Sequence, residues 1–244
     1  MNQIDYLYRF IDNYIRERDL KYSRKALEIS ETKLSGLIRK GIEFDREGVL
    51  RQSFFQHCLS VTKLLIDLNI PLSDDETDIM VASALCHDLI AHADFPKAGK
   101  ELTEDYHLDE RIYEIVRVTT KINVCTEEDL QQYYDSIQVN KLAVLIAMAD
   151  RSNLVENVYA LSIFEALDYI REIRNYALPL CVYALEHYPD IQLPMKLIVR
   201  KVHSLIDVTD IISRRYQEKE DAYEKEILSL MEENAKLRGL IASL

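Results

Sequence analysis

The sequence predicts an all-α fold. Its 244 residues include only 5 Gly and 5 Pro, and apolar residues recur at helical spacing almost throughout, without the sustained alternation of a β-strand. Hydrophobic residues make up 48% of the chain and charged residues 30%, a balance that favours amphipathic helices around a sizeable core. We therefore expect a helical bundle that begins with N-terminal helices and ends with an extended C-terminal helix.

Four helices are predicted in the first part of the chain. Residues 4–15 and 27–38 carry apolar side chains at helical spacing. A third helix, from about 51 to 68, places His57 on its apolar stripe, so the imidazole should face inward. Ser73 and the acidic residues after it are typical of a capped helix start, and the fourth helix then runs through MVASALCHDLI. This helix is apolar on nearly all sides.

The second part of the chain continues in the same way. Helices are predicted near 108–120, 127–135 and 140–159, followed by a long one near 162–188. Pro179 should bend or interrupt this long helix, and Pro189 and Pro194 predict a loop after it. From Ile211 the chain is almost wholly charged apart from a spaced apolar series. We therefore divide it into residues 1–210 and a C-terminal helix, 211–244.

The C-terminal helix carries a short heptad repeat. Its a and d positions are occupied, in order, by Ile227, Leu230, Asn234, Leu237, Ile241 and Leu244. An asparagine at position a favours a parallel two-stranded coiled coil, which predicts a homodimer. Because the repeat spans only about two and a half heptads, the alternative of an amphipathic helix folded back on its own domain stays open.

Charge and composition exclude several classes of function. The net charge of −12 repels phosphate backbones and anionic lipids, so neither nucleic acid nor membrane is an expected partner. No apolar run approaches the roughly 20 residues that span a bilayer, and the N-terminus does not resemble a signal peptide; we therefore expect a cytoplasmic protein. The glycines are too scattered for a phosphate-binding loop, and four cysteines without a C-x-x-C pattern predict reduced thiols, mostly in the core.

Ionisable residues stand at four positions where the local pattern demands apolar ones. His57 lies on the buried stripe, His87 and Asp88 end the run MVASALC, and Asp150 ends the run LAVLIAMA. Burying an unpaired carboxylate is costly, and one shared divalent cation would satisfy all four groups. Two imidazoles and two carboxylates suit Mn, Fe, Co, Ni or Zn better than Ca or Mg. Taken singly, each residue could instead be a hydrogen-bonded core residue or, as Arg151 beside Asp150 indicates, a member of an ion pair.

The order H…HD…D, with each member on a helix beside a long apolar stretch, resembles the HD superfamily of metal-dependent phosphohydrolases. Within it, the chain is most similar to the hydrolase domain of the RelA/SpoT proteins and their small stand-alone homologues, which remove the 3′-pyrophosphate of (p)ppGpp. The similarity covers roughly residues 25–190, in the segments FFQHCLSVTKLLIDL, VASALCHDLI, RVTTKIN, LIAMADRSNL and IREIRNYALPL.

The resemblance implies an HD-type helical bundle, a nucleotide or small phosphorylated substrate, and Mn²⁺ as the metal. It implies that the metal ligands are His57, His87, Asp88 and Asp150. It implies that the substrate contacts are Arg39, Lys121, Asn153 and Tyr176. Arg46 competes with Arg39, because the spacing from Arg39 to His57 is longer than the family pattern.

One departure from the family concerns catalysis. The family has a Glu-Asp pair shortly after His-Asp, and here the corresponding residues are Ala91 and His92. The unperturbed pKa of histidine, near 6.5, suits an acid or base, so His92 is the predicted catalytic residue; a solvent-facing histidine near Asp94 is the alternative. The missing pair also leaves a second function open, namely a nucleotide-binding or signalling module with a retained metal site and impaired turnover.

Overall fold

The computed structural model describes residues 2–39, 53–92, 100–122, 124–156, 161 and 163–242. Within these ranges the regular structure is helical, and the extended pairing consists of one isolated bridge between Ile38 and Ser53. The predicted all-α class is therefore confirmed. The α-helices are, in chain order, α1 (Gln3–Glu17), α2 (Lys21–Leu34), α3 (Phe54–Asp67), α4 (Asp74–Cys86), α5 (Leu89–His92), α6 (Glu101–Glu104), α7 (Glu110–Thr119), α8 (Glu127–Gln138), α9 (Lys141–Glu156), α10 (Ile163–Glu172), α11 (Leu178–His187) and α12 (Gln192–Ala242).

Two very apolar helices form the centre of the bundle. Every residue of α4 from Thr77 to Cys86 is buried, and so is residue range 142–149 of α9. Helix α4 packs against α2, α3 and α7, while α9 packs against α3, α7 and α8. The polar residues at the ends of these two helices therefore lie at the edge of the core. Of the four cysteines, Cys58, Cys86 and Cys181 are buried free thiols, whereas Cys125 is exposed.

The starts of α2 and α4 illustrate how the bundle is fixed locally. The predicted cap of α4 is confirmed, since Ser73 and Glu76 form a reciprocal capping box. Helix α2 has no side-chain cap of its own, and its start is instead bound by α4: Asp78 accepts hydrogen bonds from the backbone N–H groups of Tyr22 (3.0 Å) and Ser23 (2.7 Å). A buried carboxylate thus satisfies donors that a helix start leaves unpaired.

The predicted continuation of the second helix to Ile38 is wrong. Helix α2 ends at Leu34, and the chain turns at Ser35 and Gly36, where glycine disfavours a helix by about 1 kcal/mol relative to alanine. Beyond the turn the chain is extended, and the carbonyl of Leu37 accepts a hydrogen bond from the Phe54 N–H at 2.9 Å. This pairing brings the segment that carries Arg39 to the first turn of α3.

The two proline predictions have different outcomes. The interruption near Pro179 is confirmed, because a π-helical segment, Ile173–Ala177, separates α10 from α11. The loop predicted through Pro194 is wrong: a short 3₁₀ turn, Pro189–Ile191, leads directly into α12, and Pro194 lies in its first turn. Proline is tolerated there because the first N–H groups of a helix have no intrahelical partner.

The chain divides into two compact units, Met1–His203 and Ser204–Leu244. The first unit contains the helices before α12 together with the first turns of α12, and the second contains the rest of α12. None of the described helices has the length and apolar character that crossing a bilayer requires. Arg46, Asp94 and Leu244 lie outside the described residues, and only the backbone is described for Asn234, Leu237 and Ile241.

Candidate metal centre

The four predicted metal ligands lie together, and we call them the metal cluster: His57, His87, Asp88 and Asp150. His57 Nε2 lies 2.9 Å from Asp150 Oδ1 and 3.3 Å from His87 Nε2. Both Nε2 atoms lie 3.7 Å from Asp88 Oδ2. Helix α3 provides the first histidine, the end of α4 the second, and α9 the distant aspartate. Residues separated by almost a hundred positions in the sequence therefore present their ligand atoms to one point.

The outer nitrogens of both histidines are held by oxygen acceptors. His57 Nδ1 lies 2.7 Å from Asn153 Oδ1, and His87 Nδ1 lies 2.7 Å from the carbonyl oxygen of Ala84. Because these oxygens accept hydrogen bonds, the tautomer that is protonated at Nδ1 satisfies both of them. Each Nε2 atom then presents a lone pair to the centre of the cluster, which is the orientation that a metal ligand needs.

The electrostatics of the metal cluster fit a divalent cation. Burial and the positive charge of Arg39 lower the pKa of His57, which favours the neutral, ligating ring. Although burial alone would raise it, the pKa of Asp150 lies well below its usual range, and the positive charge of Arg151 is the largest cause of this lowering. Two lone pairs and two carboxylates thus face one another, and ligand atoms of His57, His87 and Asp150 lie within 4.8 Å of one another. A cation at this point relieves that repulsion.

Asp150 uses its two oxygens differently. Oδ1 faces the metal cluster, whereas Oδ2 accepts a hydrogen bond from Arg151 Nη1 at 2.6 Å. The buried guanidinium of Arg151 also donates to the hydroxyl groups of Tyr134 (3.1 Å) and Tyr133 (3.4 Å). The sequence presented the ion pair and the metal ligand as alternatives for Asp150, and the structure accommodates both.

A second group of polar side chains lies beside Asp150. We call it the cationic cluster after its two cations, Lys121 and Arg151; its other members are Tyr134 and Glu172. Glu172 Oε1 accepts hydrogen bonds from Lys121 Nζ (2.6 Å) and Tyr134 Oη (2.7 Å) and lies 3.5 Å from Arg151 Nε. About a third of the Lys121 side chain is exposed (33%), and burial together with Arg151 lowers its pKa. The predicted substrate contact Lys121 therefore lies in the group next to Asp150. It is paired with Glu172, a carboxylate that the sequence did not predict.

Arg39 lies at another side of the site. Its guanidinium carbon is 5.8 Å from the centre of the Phe54 ring, and its charge contributes to lowering the pKa of both His57 and His92. Nη1 of Arg39 is buried and has no hydrogen-bond partner among the described residues. An unpaired cationic donor next to the metal cluster is available to bind an anion.

His92 reaches the rim of the metal cluster. Its ring stacks on Phe54 with the ring centres 3.9 Å apart, and its Nε2 atom lies 3.9 Å from Asp88 Oδ1. Burial lowers the pKa of His92 even though Asp88 opposes the shift, so the ring is neutral near pH 7. With 41% of its side chain exposed, His92 borders both solvent and the site.

The remaining predicted substrate contacts, Asn153 and Tyr176, contact other side chains of the site. Asn153 lies behind His57, where its amide oxygen orients the ring. Tyr176 belongs to the π-helical segment, and its ring stacks on Tyr134 with the centres 5.6 Å apart. π-Helical turns often occur at functional sites. Here the turn places an aromatic ring beside the cationic cluster.

Cys58 lies near the site as well. A ligand atom of Cys58 lies within 4.8 Å of one from each of His87 and Asp88. Burial raises the pKa of this thiol well above its usual range, which keeps it protonated and unsuited to binding a metal. The four-residue metal cluster is therefore the better candidate.

Comparison with protein-family models and with curated proteins gives no match for this chain. The site combines two buried histidines and two half-buried aspartates with the cationic cluster, an arginine whose Nη1 has no partner among the described residues, and a histidine at the rim. Such a combination suits a metal-assisted reaction of an anionic substrate.

Proposed function

We propose that the protein is a metal-dependent phosphohydrolase of the HD superfamily that acts on a nucleotide, with removal of the 3′-pyrophosphate of (p)ppGpp as the leading reaction. The observation that supports this most strongly is the convergence of His57 Nε2, His87 Nε2 and two carboxylates, with both Nδ1 atoms held by acceptors. The resemblance in the H…HD…D pattern supplies the reaction class and the substrate.

The proposed metal ligands are the four members of the metal cluster. A divalent cation bound by them would supply a water molecule of lowered pKa as the nucleophile and positive charge for the phosphoryl group. Mn²⁺ is the expected metal from the resemblance, and Fe, Co, Ni and Zn suit the same donors. Asn153 and the Ala84 carbonyl keep the two imidazole rings in the ligating orientation.

The charge of the site supports an anionic substrate. Among the described residues, the two clusters and Arg39 together carry three cationic and three anionic side chains: Arg39, Lys121, Arg151, Asp88, Asp150 and Glu172. With neutral histidines these charges cancel, so a bound divalent cation leaves the site with two positive charges. A phosphoryl dianion neutralises them, and Arg39 Nη1, which has no partner in the described ranges, can donate a hydrogen bond to it.

His92 is the proposed general acid or base. Its neutral ring can accept a proton at a ring nitrogen from the attacking water and return it to the leaving group. Nε2 is near Asp88, so the proton would be held close to a carboxylate that stabilises the imidazolium. Ala91, its neighbour in the position of the family's acidic pair, has no group that transfers protons.

The absence of that acidic pair favours a second function, a nucleotide-binding or signalling module that keeps the metal but turns over slowly. Both functions require the metal cluster and an anion site. They differ only in turnover, so a measurement of phosphate release separates them.

The test is a phosphate-release screen with nucleotides that carry mono-, di- and 3′-pyrophosphate groups, in the presence of Mn²⁺. The proposed enzyme releases phosphate or pyrophosphate, and the Asp88→Ala variant does not. Nucleotide binding without release would instead support the signalling module. A release rate that is equal in the wild type and in Asp88→Ala would contradict the proposed role of the metal cluster.

We also propose that the protein forms a homodimer through the heptad repeat of α12. Among the seam residues whose side chains are described, Ile227 is 57% exposed and Leu230 is 55% exposed in the single chain. A partner helix would remove this apolar surface from water, which is favourable by about 1.5–3 kcal/mol for each fully buried side chain.

A further inference from the structure

Four buried side-chain polar atoms have no hydrogen-bond partner among the described residues: Arg39 Nη1, Ser83 Oγ, Ser152 Oγ and Tyr169 Oη. Leaving such a group unpaired is unfavourable, and each case in a folded protein needs an explanation. Ser83 and Ser152 are small residues inside the two central helices α4 and α9. Tyr169 is different, because its surroundings are the charged groups of the site.

Tyr169 lies on the part of α10 that borders the cationic cluster. It precedes Glu172 by three residues, so both side chains project from the same face of the helix. The guanidinium carbon of Arg151 lies 5.9 Å from the centre of the Tyr169 ring, and the same guanidinium binds Asp150. Burial raises the pKa of the phenol well above its usual range; the charge of Arg151 opposes this shift, and the charges of Asp150 and Glu172 add to it.

The neighbouring tyrosines show what a structural hydroxyl does here. Tyr133 Oη donates to the carbonyl oxygen of Thr119 at 2.9 Å, and Tyr134 Oη donates to Glu172 at 2.7 Å. Both also accept a hydrogen bond from Arg151. Tyr169 packs beside the same arginine, yet its hydroxyl has no partner among the described residues. In the part of the chain that the structure describes, this hydroxyl hydrogen has no acceptor, so it can be donated to a bound ligand.

We infer that Tyr169 is a substrate-binding residue whose hydroxyl donates a hydrogen bond to a phosphoryl oxygen of the substrate. The inference rests on the proposed function, and it adds a residue that the sequence did not predict. A phosphoryl oxygen is a strong acceptor. The site with a bound divalent cation would carry a net positive charge, because the charges of its described side chains cancel. The ring of Tyr169 remains in contact with Arg151, so the hydroxyl is positioned without a hydrogen bond of its own.

The experiment compares Tyr169→Phe with Tyr188→Phe. Tyr188 Oη donates to the carbonyl oxygen of Gln138 at 2.7 Å, which makes it a matched tyrosine with a satisfied hydroxyl. Metal-loaded protein, dialysed free of excess metal, is titrated with inorganic phosphate by calorimetry, and thermal unfolding and metal content are measured for each variant. We expect Tyr169→Phe to weaken phosphate binding at least fivefold with unchanged metal content and no loss of thermal stability. Tyr188→Phe should lower the melting temperature and leave the phosphate Kd unchanged.

Two results would overturn the inference and leave the proposed function unaffected. One is wild-type affinity for phosphate in Tyr169→Phe, which would mean that the hydroxyl binds only water or has a structural role. The other is loss of the metal together with phosphate binding, which would mean that the hydroxyl supports the metal cluster. If the metal-loaded wild type itself binds no phosphate, the proposed function fails and the inference fails with it.

Discussion

In the metal cluster, imidazole nitrogens and carboxylate oxygens lie around one point. In the cationic cluster, by contrast, positive and negative side chains of the same chain form ion pairs. His57 Nε2 and His87 Nε2 lie 3.3 Å apart with carboxylates beside them, and no side chain among the described residues balances all of these acceptors at once. Glu172, by contrast, lies between Lys121 and Arg151. The first arrangement could hold a cation from solution, whereas in the second the charges are paired within the chain.

Arg151 links the two clusters, and its removal should have the largest effect on stability. In Arg151→Met, Asp150 loses its only cationic side-chain partner within 4 Å among the described residues. Removing one partner of a buried ion pair lowers the free energy of unfolding by about 3–5 kcal/mol, because the other charge stays buried and unpaired. Urea unfolding of the metal-free protein measures this loss. Arg171→Met is the control, because its pair with Asp168 is exposed and should contribute about 0–1 kcal/mol. Equal effects of the two substitutions would contradict the structural role of the cationic cluster.

Removal of the metal should have the next largest effect. A ligand present at 100 to 1,000 times its Kd stabilises the folded state by about 2.7–4.1 kcal/mol, so EDTA should lower the melting temperature of the wild type. The same treatment should leave Asp88→Ala unchanged, because that variant has lost a metal ligand. A wild type that is insensitive to the chelator at neutral pH would contradict the prediction that the metal cluster needs a cation.

His92 separates catalysis from metal binding. In His92→Ala we expect a kcat at least tenfold lower, since general acid–base assistance contributes about a hundredfold or more, while the metal content stays the same. His203→Ala, which alters an exposed histidine on α12, is the control and should keep full activity. Full activity in His92→Ala would assign proton transfer to another group.

The C-terminal helix should affect neither cluster. Truncation after Arg215 removes the heptad repeat, and light scattering should then show a soluble monomer in place of a dimer, with the metal content unchanged. A truncated protein that remains dimeric, or a full-length protein that is monomeric, would show that the heptad interpretation is wrong.

The sequence could predict the metal cluster because its members interrupt apolar patterns. His57 stands on a buried stripe, and Asp150 follows eight apolar residues of α9, so both are visible without knowledge of the fold. A buried polar residue in such a context is a strong local signal. The all-α class was predictable for a similar reason, since helical periodicity is a local property.

The cationic cluster could not be predicted in the same way. Glu172, Tyr134 and Tyr169 lie on amphipathic helices, where charged and aromatic residues are ordinary. Their meeting depends on how α8 and α10 pack beside α9, and the apolar pattern within each helix does not indicate that packing. The contact of Asn153 with His57 was not predicted either. The resemblance predicts that Asn153 contacts the substrate, and in the structure its amide oxygen lies at hydrogen-bond distance from His57 Nδ1.

The two wrong boundaries also have local causes. Helical spacing extends to Ile38, but Gly36 ends the helix earlier, and hydrogen bonding to the start of α3 then favours an extended chain. Pro194 reads as a loop residue, although the first turn of a helix accepts proline. In both cases one residue type has two structural uses, and the sequence pattern alone does not distinguish them.

The central claim is that the metal cluster binds one divalent transition metal, and elemental analysis tests it most directly. Wild-type protein and Asp88→Ala are purified without chelator and analysed for Mn, Fe, Co, Ni and Zn, together with the protein concentration. We predict about one metal ion per wild-type chain and a much lower content in Asp88→Ala, because metal sites lose affinity steeply when a ligand is removed. A wild type that is as metal-free as the variant, and that does not take up metal when it is added, would contradict the claim.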